Sequence, residues 1–273
     1  MTTTRKTGID DPMTELLRQH EWVSAGCETV LGPRMLALVD WVDSKVVEFA
    51  IKAGASELLV SRLIDRSVLE RAGYFESFPA SVVEESDGGC IPPATCYHCY
   101  AKLAATSLPE PSILTCIARC RRNEGKEESG RLRAFTMREI VFVGSAAWVR
   151  ERREEWMARI LAFAQSLPLA VQLDAATDSF FAGGEARGRK LLQQIKGLKF
   201  ELRAQMDTKN TPLAISSFNL HETFFSRRFG LRLADGTDAN SGCVAFGLER
   251  WALALALTLG ANQAFRLVEQ EHR

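Results

Sequence analysis

The feature that most restricts what this chain can become is a pair of alternating runs separated by a charged break. Residues 113–122 and 138–144 alternate with the period of two that sends successive side chains to opposite faces of a strand. Between the basic ends of the first run and Arg131, residues 123–130 are charged and carry two glycines. The stretch TCIARCRRNEGKEESGRLRAFTMREIVFVGS therefore predicts a long antiparallel hairpin. Its two strands cannot stand alone in water, so a larger sheet must be built around them. Arg119, Arg121, Arg122 and Arg131 come to this hairpin together with Phe135, and Arg138-Glu139 closes it.

The rest of the chain supplies the partners. Apolar spacing over 29–53 is helical, with Pro33 suited to the first turn. Residues 62–78 read as a short strand or turn followed by a helix through SVLERAGYFESFP, and 84–95 (EESDGGCIPPAT) as a loop. An amphipathic helix is expected over 147–167, with Trp148, Trp156, Ile160 and Phe163 on its buried side. Strands are expected at 168–174, 198–206 and 212–220, a glycine-led basic helix at 183–196, and an alanine- and leucine-rich helix at 247–259. Hairpin-like strands with helices between and after them predict an α+β fold, an antiparallel sheet with helices packed on one side. Residues 1–20 are polar and read as a flexible tail; residues 21–273 read as one domain.

Thirty-four basic residues balance thirty-four acidic ones, so no global field draws the chain to nucleic acid or an anionic membrane. The N-terminal residues lack the apolar core of a signal peptide, and the apolar run 251–257 is too short to span a bilayer. These features predict a soluble cytoplasmic protein, in which seven cysteines would be thiols or metal ligands rather than disulfides.

Cys96-x2-Cys99 and Cys116-x3-Cys120 approach the spacing of a four-thiolate zinc site. Against this, Cys116 and Cys120 share one face of a strand about 13 Å apart at ~3.3 Å per residue, while zinc needs its sulfurs about 4 Å apart. Ordinary buried thiols are the alternative for Cys27, Cys90, Cys116 and Cys120. Arg150, Arg152 and Arg153 alternate with Glu151, Glu154 and Glu155 and read as a solvated helix face. Arg122 and Arg131 flank the hairpin loop instead, where guanidinium forks suit phosphate oxygens. His98 and His221 are lone histidines, for which a satisfied core or surface role is the default; His98, two residues from Cys96, is also a candidate metal ligand.

These residues resemble the signatures of class II aminoacyl-tRNA synthetases. Arg122-Asn123-Glu124, then Arg131, Phe135 and Glu139 at intervals of four, fill the fixed positions of the second signature; CVAFGLERWALA, with Gly247 and Arg250, is similar to the third. AISSFNLHETFFSRRFG resembles the segment between them in seryl-tRNA synthetases. Through AGYFESFP, RLRAFTMREIVFVG and SGCVAFGLERW the chain is more similar to the amino acid:[carrier protein] ligases, over roughly residues 25–273. That family is related to the atypical seryl-tRNA synthetases of methanogens and lacks their tRNA-binding arm.

The resemblance implies a class II catalytic core, an antiparallel sheet of about six strands flanked by helices, in a homodimer. It implies ATP-dependent activation of a small amino acid, glycine or alanine, as the adenylate. The aminoacyl group then passes to the phosphopantetheine thiol of a carrier protein, with no role for tRNA. By the match, Arg122 would hold the α-phosphate, Arg131 and Arg250 the β- and γ-phosphates, Phe135 would stack on adenine, and Glu124 would accept from its amino group. Cys96, Glu139 and Cys243 match the family's zinc ligands. Three protein ligands leave one site open for the substrate's amino group. Ala214 stands where seryl enzymes carry a metal-binding glutamate, so no Mg²⁺ ligand is assigned; Ala245 replaces a signature glycine, and YHCY follows Cys96 with an extra cysteine. Between residues 185 and 203, Arg187, Arg189, Lys190, Lys196, Lys199 and Arg203 outnumber Glu185 and Glu201. This segment, with its helical insertion at 183–200, would face an acidic carrier protein, with Arg187, Arg189 and Lys190 as contacts.

Overall fold

The computed structural model describes residues 12–25, 28–78, 81–123, 130–167, 169–176, 197–206 and 212–271. Glu124, Cys27, the basic trio Arg187, Arg189 and Lys190, and the helix expected at 183–196 lie outside these residues.

The predicted hairpin forms and makes the second and third strands of the sheet. Strand β2 (Ser112–Arg121) pairs with β3 (Ala134–Gly144) in unbroken antiparallel register from Ser112↔Val143 to Arg121↔Ala134. With β1 (Ser56–Leu58), β4 (Val171–Ala175), β5 (Lys199–Ala204), β6 (Leu213–Glu222) and β7 (Asn240–Gly247) they make a seven-stranded sheet in the order β1-β2-β3-β7-β6-β5-β4. Six strands are mutually antiparallel, as expected; the short β1 runs parallel to β2 at one edge and makes the sheet mixed.

Helices cover both faces, not the single face expected. The reason is legible in Ile140-Val141-Phe142-Val143, a continuous apolar run that only a doubly covered strand needs. Ile140 and Phe142 join the core under α2 (Pro33–Lys52), α5 (Ala146–Ser166) and α7 (Leu248–Leu259). Val141 and Val143 join the opposite core, beneath α3 (Arg66–Arg71), α4 (Cys96–Leu103) and α6 (Phe224–Phe229). Helix α7 is apolar around its circumference because it is wedged between the sheet, α2 and α8 (Ala261–Glu271).

Local chemistry fixes the helix ends. Pro33 begins α2, and the Ser145 hydroxyl accepts from Trp148 N at the start of α5. Residues expected within an N-terminal tail form α1 (Pro12–Arg18), whose Leu16 is completely buried. Arg153, expected on a solvated face, is also buried: it donates to Gly197 O and lies 5.1 Å over the Phe200 ring. Among the described residues no helix is long and apolar enough to cross a membrane.

Candidate active site

A cavity of about 210 Å³ lies over the α4 face of the sheet. Arg122, Arg131, Phe135 and Arg250 line it, and so do Cys96, Glu139 and Cys243. The structure thus brings together every described residue that the second and third signatures single out for nucleotide and metal.

Period-two geometry explains why. Phe135, Met137 and Glu139 project from one face of β3. Glu139 stands opposite Ala245 of β7, so Cys243, two residues along, shares that face. Cys96 reaches the same place from above, as the first residue of α4.

Two of the arginines, Arg122 and Arg250, are held by backbone carbonyls. Arg122 donates from Nε to Pro93 O at 2.7 Å, and its guanidinium sits 5.5 Å from the Phe135 ring centroid. Arg250 donates to Gly130 O at 3.0 Å and to Ala214 O at 2.9 Å, tying the hairpin loop to β6. Gly130 has φ +81°, a backbone conformation that favours glycine, and a Cβ there would also push on Leu213 Cδ2 at 2.6 Å. Arg131 is exposed at the rim. Donors fixed in this way need little reorganisation when negative charge develops between them.

Two supports of the site were not found from sequence. Glu249, buried in the first turn of α7, accepts from Thr136 N with both oxygens at 2.8 Å, from Thr136 Oγ1 at 2.7 Å and from Arg119 at 3.2 Å. It clamps the residue next to Phe135. An acid at a helix N-terminus was its only signal in the sequence. Arg138, on the opposite face from Glu139, is buried and forks onto Asp43 of α2, donating to Glu57 of β1 at 2.9 Å as well.

The thiol–carboxylate cluster is buried in the cavity wall. Glu139 accepts from the Cys96 backbone N–H and, at 3.3 Å, from Cys243 Sγ. Asn219, opposite Cys243 on β6, donates to Cys243 Sγ at 3.4 Å. Burial pushes the Glu139 carboxyl above its usual range. The Cys96 thiol is pushed well up by its hydrogen bond with Cys243 and by burial; for Cys243 the bond with Cys96 pulls down, but burial and the Glu139 charge raise it overall. Among the described residues no group of three or more His, Cys, Asp or Glu side chains is arranged to hold a metal ion as it stands. The cluster instead satisfies itself by internal hydrogen bonds.

The four-thiolate arrangement does not form. Cys99 turns to Cys116, Sγ to Sγ 3.4 Å, and Cys120 lies in a separate small cluster beside the Thr95 hydroxyl at 3.6 Å. Burial raises the Cys120 thiol to about 12, the behaviour of an inert packed cysteine. His98 is not among the residues lining the cavity; His221 is, with Nε2 3.7 Å from Cys243 Sγ.

An antiparallel sheet carrying an arginine-rich hairpin, with a glycine-arginine helix start beside it, has the fold of class II synthetases. Solved structures agree. The M. kandleri seryl-tRNA synthetase, in complex with A. aeolicus tRNASec, superposes with a TM-score of 0.82 over 99% of this chain and 62% of its own, at 17% identity. The Pyrococcus horikoshii seryl-tRNA synthetase complexed with ATP gives 0.72 over 89% of this chain and 57% of its own, at 16% identity. No family model matches the sequence. A curated relative is more similar: "Amino acid--[acyl-carrier-protein] ligase 1" of Bradyrhizobium diazoefficiens is 33% identical over 241 residues, 77% of this chain and 74% of that protein. The chain belongs to the amino acid--[acyl-carrier-protein] ligase family.

Proposed function

We propose that this protein activates a small amino acid, glycine or alanine, with ATP and passes it to the phosphopantetheine thiol of a carrier protein. One observation carries the reading: a single cavity is lined by Arg122, Arg131, Phe135 and Arg250 and also by Cys96, Glu139 and Cys243. A ligand filling it touches both sets. In the first step an amino acid carboxylate oxygen attacks the α-phosphorus and pyrophosphate leaves. In the second the carrier thiol attacks the carbonyl carbon, AMP leaves, and the thiol proton passes to solvent. Arg122 neutralises charge at the α-phosphate, and Arg131 and Arg250 hold the departing pyrophosphate. Phe135 supplies the adenine platform and Glu124 an acceptor for its amino group. This is catalysis by positioning and electrostatics, and it asks for no acid–base residue. Mg²⁺ would accompany ATP, with no ligand assigned at Ala214.

Cys96, Glu139 and Cys243 are the residues that would hold Zn²⁺. The donor set suits it: two thiols and a carboxyl buried together are each disfavoured as anions, and a divalent cation reverses that penalty. Bound there, the metal would supply a Lewis-acidic position for the substrate amino group. Arg187, Arg189 and Lys190, which lie outside the described residues, are the proposed contacts to an acidic carrier. We take the chain to be one catalytic domain in a homodimer, which sedimentation would report as two chains per particle. The decisive experiment is amino-acid-dependent ATP–pyrophosphate exchange across the twenty amino acids. Transfer assays to holo-carrier protein and to tRNA follow. Exchange with glycine or alanine and transfer to the carrier alone support the proposal; transfer to tRNA alone replaces it with a synthetase.

A further inference from the structure

Beside Cys243 runs a polar chain that the reaction above does not use, with Tyr100 and Ser241 buried and His221 half-buried in the cavity wall. Tyr100, completely buried in the second turn of α4, places its hydroxyl 2.8 Å from His221 Nδ1 and 3.2 Å from Ser241 Oγ. The other ring nitrogen, His221 Nε2, faces Cys243 Sγ at 3.7 Å. The geometry of both rings is over-determined. Tyr100 stacks on Phe225, centroids 4.4 Å apart at 23°, and on Phe229 at 5.8 Å. His221 stands edge-on to the same Phe225, at 4.9 Å and 82°.

The backbone is also shaped for this contact. Along β6 the ladder pairs Leu220 with Gly242 and then Glu222 with Ser241, so His221 is the extra residue of a β-bulge. Glu222 follows with φ +49°, a conformation that side-chain-bearing residues rarely adopt. Bulges that re-aim one side chain are over-represented beside active sites, and strained backbone persists only where its surroundings hold it. Tyr100 also lies four residues after Cys96, on the same side of α4. One helix thus delivers a proposed metal ligand and the anchor of the histidine beside another.

We infer that Tyr100 and His221 form a relay that orients Cys243 and sets the affinity of the metal site, with His221 a positioning residue and not a ligand. The inference rests on the zinc reading proposed above. The hydrogen placement this requires runs from the Tyr100 hydroxyl to Nδ1 and from Nε2–H to the Cys243 sulfur, with the Ser241 hydroxyl turned to donate to Tyr100 instead of accepting from it. A sulfur that accepts this bond is fixed in direction. Outer partners of this kind typically govern metal affinity by about 10–100-fold.

The test uses the full chain and zinc itself, measured by competition with a chromophoric chelator, with His221→Ala, His221→Gln and Tyr100→Phe beside the wild type. Cobalt substitution adds the thiolate-to-metal charge-transfer band. The expected result is one zinc in every variant, with affinity lowered about 10–100-fold in His221→Ala. His221→Gln should recover part of the loss through its amide N–H. Tyr100→Phe should weaken binding in the same direction, and the cobalt band should shift with bound stoichiometry unchanged. Tyr100→Phe keeps the ring stack, so it reports on the hydroxyl even if His221→Ala folds poorly. Unchanged affinity and band in Tyr100→Phe and His221→Gln overturn the relay. So does loss of stoichiometric zinc in His221→Gln with cobalt spectra losing a nitrogen ligand, which makes His221 a direct ligand. A wild-type protein that binds no zinc removes the zinc reading and the relay with it; the variants then need not be compared.

Discussion

Replacing Glu249 by alanine tests whether the clamp on Thr136 holds the nucleotide platform in place. The Glu249 side chain is 4% exposed. Its removal leaves Thr136 N without the acceptor it has at 2.8 Å. An orphaned buried donor costs about 1–3 kcal/mol, and loss of a carboxylate from a first helical turn adds roughly 0.3–1 kcal/mol. Thr136 is only half-buried, so water from the cavity meets part of that demand. The lower half of the range is then appropriate, about 2 kcal/mol. For a chain of this size that is a fall in Tm of about 4–8 °C. Glu249→Gln keeps the size and one acceptor and should lose roughly half as much. Because Thr136 adjoins Phe135, KM for ATP should rise in Glu249→Ala while KM for the amino acid changes little. Calorimetry and pyrophosphate exchange read the two effects. A Glu249→Ala protein that melts within about 1 °C of wild type shows that the carboxylate's own desolvation cancels its bonds, and the clamp argument fails.

Arg122→Ala should fold normally and lose adenylate formation by about 100-fold or more, the usual worth of one preorganised donor on developing charge; exchange at the wild-type rate would remove Arg122 from the phosphate site. Cys243→Ala should carry no zinc by metal analysis, whereas Cys120→Ala should keep one per chain, and the opposite pattern would revive a thiolate site on β2. Arg138→Leu strands Asp43 and Glu57 without their cation and should cost about 3–5 kcal/mol in a urea melt, with the lower end expected because Glu57 is 46% exposed. Reversing Arg187, Arg189 and Lys190 to glutamate should slow transfer to carrier protein at low salt and leave exchange untouched, since rim charges act mainly on association rate.

What could be read from the sequence was what local periodicity encodes. The hairpin was legible because its first strand alternates up to a turn-forming break, and alternation fixes both register and facing; its second strand, expected to alternate as well, is buried throughout from Met137 to Gly144. The signature residues were singled out by resemblance to a family, and the described ones line one cavity. Glu249, His221 and Arg138 were not legible, and the reason is the same for each: their partners are distant in sequence. Glu249 meets Thr136 across 113 residues and His221 meets Tyr100 across 121. A lone acid or histidine gives no periodic signal, so the default of a solvated or satisfied side chain was the only available reading. The doubly covered sheet was missed although Ile140–Val143 carried it, because hairpin-like strands with helices between and after them point to helices on one side. Cys116 and Cys120 were correctly separated by the strand rise alone.

The same rise accounts for how one strand can serve both ends of the proposed reaction. Phe135 and Glu139 lie on one face of β3, four residues apart, which at ~3.3 Å per residue is about 13 Å. The intermediate must stretch from an adenine ring at one end to an amino group at the other, and a straight strand is a ruler of fixed length between those two contacts. Glu139 is pinned at its end by Cys96 N and Cys243. Phe135 is fixed at the other by Arg122 on its ring and by Thr136 in the grip of Glu249. The intervening Met137 keeps the facing, while Thr136 and Arg138 tie the opposite face to α7 and α2. Deleting any one residue between Phe135 and Glu139 would turn one of the two contacts to the wrong face of the sheet. The fixed spacing of the second signature is thus a statement about strand geometry, and substitutions that preserve the period of two should be tolerated where insertions are not.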